Sequence, residues 1–463
     1  MGLLKGKTLN WAITAAAGAG FLLFGYDQGV MSGLLTGRAF TAQFPEIDTT
    51  EGANGSASLQ GTVVAIYEIG CFFGSIGAMV VGGALQAGAY GIPQLILGRI
   101  VAGLGNGMNT STIPVWHSEL MKANKRGKGL AIELAINIFG VMSAYWVDYG
   151  LNFVENEAQF RFPLALQILF ALCTAAAVLV LPESPRWLIN HDRMDEARQI
   201  LSDVRIGIHE GANTEAILDK ELAEIKHAID EEREAAAGNT FKALLKNGSQ
   251  RFRTRALLGI GGQFMQQLSG INLITYYAPV IFQQSVGLPR DISLLLAGIN
   301  GIAYFISSLV PIWIIDRLGR RKLMLFAAGG QAVCMAILAG TVSNGSKSAG
   351  IVAVVMLFLF NFFFAVGLLA IPWLLPAEYV PLAIRTRAAA LALASNWIFT
   401  FLVVEITPNL SLEQIDRLFT GGKIQLHWKA AMGGDVEGPS ESAFTNGEHG
   451  EKGADTVTRV DRT

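Results

Sequence analysis

The sequence predicts an all-α membrane protein made of two pseudo-symmetric helical bundles, with about ten transmembrane helices. Three observations carry this. The 463 residues are 51% hydrophobic and only 16% charged, with 52 glycines, a composition suited to helices packed closely in lipid. Apolar runs long enough to span occur at about 11–35, 62–84, 92–116, 129–149, 164–181, 256–282, 293–315, 323–342, 350–375 and 388–407. The two halves also repeat one another. Ile113-Pro-Val-Trp-His-Ser-Glu119 resembles Ile371-Pro-Trp-Leu-Leu-Pro-Ala-Glu378, and an arginine follows each Glu by seven positions, at Arg126 and Arg385. Related halves are the plan of carriers that rock about a site at their interface.

Taken in order, Met1–Lys7 precedes the first run without a small-residue cleavage site, so 11–35 reads as a spanning helix and not a removed signal peptide. Residues 1–189 form an N-terminal transmembrane half. The charged stretch 190–255, with DEARQIL and KELAEIKHAIDEEREAA, reads as amphipathic cytoplasmic helices linking the halves. Residues 256–408 form the C-terminal half, and 409–463 are a polar, Gly-rich tail of disordered character. Basic clusters at Lys122–Lys128, Arg317–Lys322 and Arg385–Arg387 mark cytoplasmic loops. The 36–60 and 343–349 loops are poor in Lys and Arg and read as external, each with an Asn-Gly-Ser sequon, at Asn54 and Asn344. The three cysteines lie far apart in apolar runs, which argues against a disulfide framework or metal site. No basic run points to nucleic acid, and no nucleophile constellation or phosphate-cradling loop points to an enzyme or a cofactor.

Chemistry concentrates in Gly261–Pro279, GGQFMQQLSGINLITYYAP, where Gln263, Gln266, Gln267, Ser269 and Asn272 sit inside an apolar run. Unpaired amides are costly in hydrocarbon, so they face protein or a water-filled cavity. Their near-helical spacing gathers most on one face, suited to a neutral ligand covered in hydroxyls. Helix–helix bonding is the competing reading. An acid inside a spanning helix is a functional candidate by default, which singles out Asp27, with Arg99 also embedded in an apolar run. The Glu119–Arg126 and Glu378–Arg385 pairs fall at cytoplasmic helix ends, where they could clamp a closed inner face or serve as static ion pairs.

The repeat exposes two gaps. Asp316-Arg-Leu-Gly-Arg-Arg321 begins 55 residues before Ile371, but only 28 residues separate Leu85 from Ile113. With 62–84 as one span, Leu85–Gly91 alone must recross the bilayer. Seven residues reach about 24 Å fully extended against a core of about 30 Å. The expectation is a chain that cannot complete its pathway and leaves Asp27 and Arg99 exposed to lipid or stray water. A sixth span of the second half, due near 423–440, is also missing.

With these motifs in hand the chain resembles a fungal sugar porter of the major facilitator superfamily. The likeness rests on Gly25-Tyr-Asp-Gln-Gly29, Gly98-Arg99, Pro182-Glu-Ser-Pro-Arg186, Gln266-Gln-Leu-Ser-Gly-Ile-Asn272, Asp316-Arg-Leu-Gly-Arg-Arg321 and Ser395-Asn-Trp397, in order over residues 10 to about 408. The family has twelve helices, so about ten here implies that the third and twelfth are lacking. The resemblance implies that Gln266, Gln267 and Asn272 bind sugar hydroxyls, completed by Trp373 and Asn396. The family's fifth-helix Gln falls at Leu134, with Asn137 one turn along as a substitute. Tyr304 stands at the family's eighth-helix Asn, with Asn300 one turn earlier. The likeness to proton symporters pairs Asp27 with Arg99 in coupling; the alternative is a permanent structural ion pair. The implied gate residues are Glu119, Arg126, Glu183, Arg186, Asp316, Arg320, Arg321, Glu378 and Arg385.

The function so implied is proton-coupled uptake of a monosaccharide or small polyol by a multi-pass protein of the plasma membrane. Two alternatives stay open: a nutrient sensor with the same fold, or a non-functional product of a mis-assembled gene.

Overall fold

Four of the ten apolar runs do not fold as single helices. The computed structural model describes residues 4–49, 53–73, 78–121, 126–206, 214–236, 244–245, 247, 250–284, 287–344 and 347–406. Its helices are α1 (Gly6–Leu34), α2 (Arg38–Gln43), α3 (Ala57–Phe73), α4 (Ala78–Ala87), α5 (Ile92–Leu120), α6 (Arg126–Leu151), α7 (Ala158–Val180), α8 (Pro185–Asn190), α9 (Met194–Arg205) and α10 (Thr214–Ala236). The second half continues with α11 (Phe252–Leu268), α12 (Ile271–Gln284), α13 (Arg290–Leu309), α14 (Pro311–Leu318), α15 (Arg320–Asn344), α16 (Lys347–Gly367), α17 (Ile371–Tyr379) and α18 (Arg385–Ile406). Among the described residues seven helices are long and apolar enough to cross a membrane by themselves.

The breaks have local causes. Between α11 and α12 the chain passes through Gly270 at φ +85°, a left-handed conformation that favours glycine. Pro311 starts α14 and removes one helical donor. Leu368–Ala370 interrupt α16 and α17 just before Ile371-Pro372, and Tyr277 leaves helical geometry inside α12, two residues before Pro279.

The break between α3 and α4 changes the topology. Arg99 bonds the carbonyls of Val63 and Val64, Gly70 lies against Ile100 and Gly103, and Cys71 against Gly107. Numbers rise together, so α3 and α5 run parallel. For α4, Met79 lies against Gly105, Gly82 against Ala102, and Gln86 against Gly98. Here numbers run in opposition, so α4 is antiparallel to α5 and the chain reverses between Phe73 and Ala78. The expectation of one span at 62–84 is corrected: the run divides into α3 and α4, and α4 returns antiparallel to α5. Ten residues of α4 cover about 15 Å, roughly half the hydrocarbon core, and α4 packs against α5 and α7. Glycine permits both contacts. A Cβ at Gly103 would lie 2.1 Å from the Tyr67 carbonyl oxygen, and one at Gly82 would lie 2.2 Å from the Ala102 nitrogen.

Helices α8–α10 gather at one end of the bundle, the linker end. Lys5 pairs with Asp203 at 3.2 Å, Asn10 bonds the Val204 carbonyl at 2.8 Å, and α10 packs on the 382–384 turn. The first unit of the chain runs Met1–Asp416; residues 407–463, where a twelfth helix was sought, lie outside the described residues.

Candidate functional site

A small cavity lies between the halves, with an open volume of about 50 Å³, enough for a few water molecules. The N-terminal half lines it with Phe24 and Gln28 from α1, and Leu134, Asn137, Ile138 and Val141 from α6. The C-terminal half contributes Gln266, Gln267, Ile271, Asn272, Thr275, Tyr304, Phe364, Leu369, Trp373 and Asn396. The five residues implied by the motifs, Gln266, Gln267, Asn272, Trp373 and Asn396, thus come together, with Asn137 facing them from the other half.

The amides also bond one another. Asn396 Nδ2 donates to Gln263 Oε1 at 2.6 Å and to Gln266 Oε1 at 3.2 Å, and Asn272 Nδ2 donates to Gln267 Oε1 at 2.6 Å. Gln266 Nε2 donates to the carbonyls of Leu368 and Leu369, at 2.7 and 3.2 Å, and so caps the α16–α17 break. Gln263 donates to the Pro372 carbonyl at 3.1 Å and is absent from the cavity lining. For Gln263 the helix–helix reading holds. Asn137 Nδ2 is buried with no hydrogen-bond partner among the described residues, while Leu134 fills the neighbouring position. Tyr304 lines the cavity and Asn300, though buried, does not.

Asp27 and Arg99 are both fully buried, so the expected exposure of this pair is corrected: α3, α4 and α5 close around it. Arg99 Nη1 lies 3.8 Å from Asp27 Oδ1, while its Nε and Nη2 bond the Val63 and Val64 carbonyls at 3.1 and 3.0 Å. The guanidinium lies 4.8 Å from the Tyr67 ring centre. Carbonyls therefore fix the arginine, and the long ion pair leaves Asp27 the more weakly held partner.

At the linker end Ser184 caps α8, accepting from the Arg186 and Trp187 backbone nitrogens while its hydroxyl donates to Glu119. Glu183 accepts from the Ser184 nitrogen at 3.0 Å, and Arg186 pairs with Glu232 of α10 at 2.5 Å. Arg320 pairs with Asp316 at 3.2 Å and with Glu378 at 3.0 Å. Arg385 instead donates to the Val380 carbonyl at 3.3 Å. The expected Glu378–Arg385 clamp is therefore corrected to Glu378–Arg320, because the turn at 380–384 directs Arg385 onto its own backbone. Arg321 is exposed, and the Arg126 side chain lies outside the described residues.

Sequence reasoning missed three buried acids. Glu68 on α3 accepts from the Tyr276 hydroxyl on α12 at 2.6 Å. Glu133 on α6 bonds His117 on α5, whose other ring nitrogen lies 3.3 Å from Thr14 Oγ1. Asp148 accepts from the Gly33 nitrogen at 3.2 Å. Each is an acid in an apolar run, the signal that singled out Asp27.

The sequence pattern of the family described as "Sugar (and other) transporter" matches residues 11–82 and 76–421. The chain belongs to this family. The two matched pieces overlap at 76–82, next to the reversal that leads into α4. The porter is 37% identical over 440 residues to "MFS-type transporter oryC" of Aspergillus oryzae, covering 90% of this chain and 80% of that protein. It is 36% identical over 431 residues to "Sugar transporter STL1" of Saccharomyces cerevisiae, covering 88% of this chain and 74% of that one. Among solved structures, the proton:xylose symporter XylE bound to 6-bromo-6-deoxy-D-glucose matches with a TM-score of 0.72 at 26% identity, covering 89% of this chain and 91% of XylE. The porter is accordingly a multi-pass membrane protein of the major facilitator type, and a transporter rather than an enzyme.

Proposed function

We propose that the porter carries a monosaccharide or small polyol across the plasma membrane, coupled to protons, by alternating access. The observation that carries this reading is the cavity: carboxamides from α11, α12 and α18 face Asn137 of α6 across the seam between halves. Side-chain amides both donate and accept, matching vicinal hydroxyls, and Trp373 offers an apolar face for a sugar ring. The named activities of "Sugar transporter STL1" and XylE favour the same substrate class. At about 50 Å³ the cavity is too small for a sugar as it stands, and loading requires the walls to part.

Asp27 is the coupling acid in this reading. Protonation neutralises it and loosens its hold on Arg99, which biases the side to which the carrier opens. The linker end faces the cytoplasm, since the Arg317–Lys322 cluster lies there. Arg320–Glu378 and Arg186–Glu232 then latch the inner face while the outer one is open. The test is uptake of labelled hexoses, pentoses and polyols in a transporter-null host. Saturable uptake accompanied by alkalinisation of the medium is expected; uptake with no proton movement would leave transport standing and remove the coupling.

A further inference from the structure

Glu68 joins α3 of one half to α12 of the other. Its Oε1 accepts the Tyr276 hydroxyl of α12 at 2.6 Å, and both residues are fully buried. Its Oε2 is buried with no hydrogen-bond partner among the described residues. One turn earlier on α3, the Val63 and Val64 carbonyls hold Arg99, the partner of Asp27. On the other side, Tyr276 follows Thr275, which lines the cavity, and precedes Tyr277, where α12 departs from helical geometry. A single hydrogen bond thus spans from the ion-pair helices of one half to the kinked cavity wall of the other.

The charges near Glu68 are Arg99 on α5 and Asp27 on α1. Tyr67 and Cys71 flank it on α3, and Tyr276 faces it from α12. Glu405 of α18 lies nearly two turns back, bonded to Thr62 at 2.8 Å. Glu46 and Asp48 stand beyond the start of the helix. Glu68 is thus a second enclosed acid one turn along α3 from the carbonyls that hold Arg99; the guanidinium lies 3.8 Å from Asp27, and two of its nitrogens are committed to those carbonyls. Charge buried without a full partner is strongly disfavoured, so a proton on either acid relieves the cluster.

We propose that Glu68 is a second proton-bearing residue of the coupling site, and that Tyr276 reads its state. Ionised Glu68 holds Tyr276 through a charge-assisted bond, roughly twice as strong as a neutral one, and pins α12 against α3. A proton from the aqueous side adds to a Glu68 oxygen. The bond to Tyr276 becomes a neutral one, and α12 is free to swing at Tyr277 and open the cavity at the end remote from the linker. This rests on the proton-coupled reading above.

The experiment measures sugar exchange at equal pH on both sides of reconstituted vesicles, across a pH series, for the parent, Glu68→Gln, Tyr276→Phe and the double variant. Glu68→Gln keeps shape and acceptor but cannot titrate. The parent should show a pH-dependent exchange rate, and each single variant should flatten that profile. The double variant should match the singles, because removing either end breaks the same link. Tyr276→Phe, which deletes one oxygen, keeps the test open if Glu68→Gln does not reach the membrane. A parental pH profile in the single variants, or effects that multiply in the double, overturns the link. A parent without pH dependence overturns proton coupling as a whole, and this link with it.

Discussion

Replacing Gln266 by Ala separates a wall residue that also builds the fold from one that only binds. Gln266 Nε2 holds the carbonyls of Leu368 and Leu369 at 2.7 and 3.2 Å, and its Oε1 takes one of the Asn396 bonds. Its loss strips two buried carbonyls of this donor at the α16–α17 break, while Asn396 keeps Gln263 at 2.6 Å. An unsatisfied buried polar group costs about 1–3 kcal/mol, and water entering from the cavity recovers part of it. A net loss of about 2 kcal/mol is expected, seen as a fall of several degrees in the apparent melting temperature of the detergent-solubilised porter. Gln267 differs: its side chain accepts from Asn272, at 2.6 Å, and holds no backbone carbonyl among the described residues. Gln267→Ala should leave melting nearly unchanged and raise KM for sugar about tenfold, the worth of one or two lost hydrogen bonds. Gln266→Ala should show both effects. Unchanged melting and unchanged KM in Gln266→Ala would refute the assignment of this wall.

Further outcomes follow from the same geometry. Cysteines placed at Gly83 and Ile168 should cross-link under mild oxidation, because a Cβ at Gly83 lies 3.0 Å from Ile168 Cγ1. A continuous helix beyond Cys71 would instead carry residue 83 about 18 Å further toward the linker end, and failure to cross-link would restore the single span. Glu378→Gln should cost under about 1 kcal/mol of stability, since the Arg320 pair is partly exposed, yet it should raise labelling of cavity cysteines from the linker side; unchanged labelling would remove the latch. Leu134→Gln adds a donor and acceptor beside Asn137 and should tighten sugar binding several-fold, read as a lower KM; an unchanged KM would show that α6 does not contact substrate.

The sequence revealed the elements that depend on composition and local chemistry. Amide clustering in Gly261–Pro279 located the cavity, and Pro-Glu-Ser-Pro-Arg located a capped helix whose Ser184 ties Glu119 to α8. Direction was not legible at 62–84. Apolar helices running either way through lipid need the same residues, and only the facing glycines Gly82 and Gly103 record the reversal. Pairing was not legible either. Seven-residue spacing joined Glu378 to Arg385, but Arg320, distant in sequence, arrives from α15. Glu68 and Glu133 were legible in principle, being acids in apolar runs, and their partners Tyr276 and His117 were not, because each lies on a different helix.

The most direct test compares the porter with Asp27→Asn in a transporter-null host, following accumulation of a labelled sugar against its gradient under an imposed pH difference. The parent should concentrate sugar and draw protons inward with it, while Asp27→Asn should equilibrate sugar without concentrating it. Equal accumulation by both forms would contradict the account.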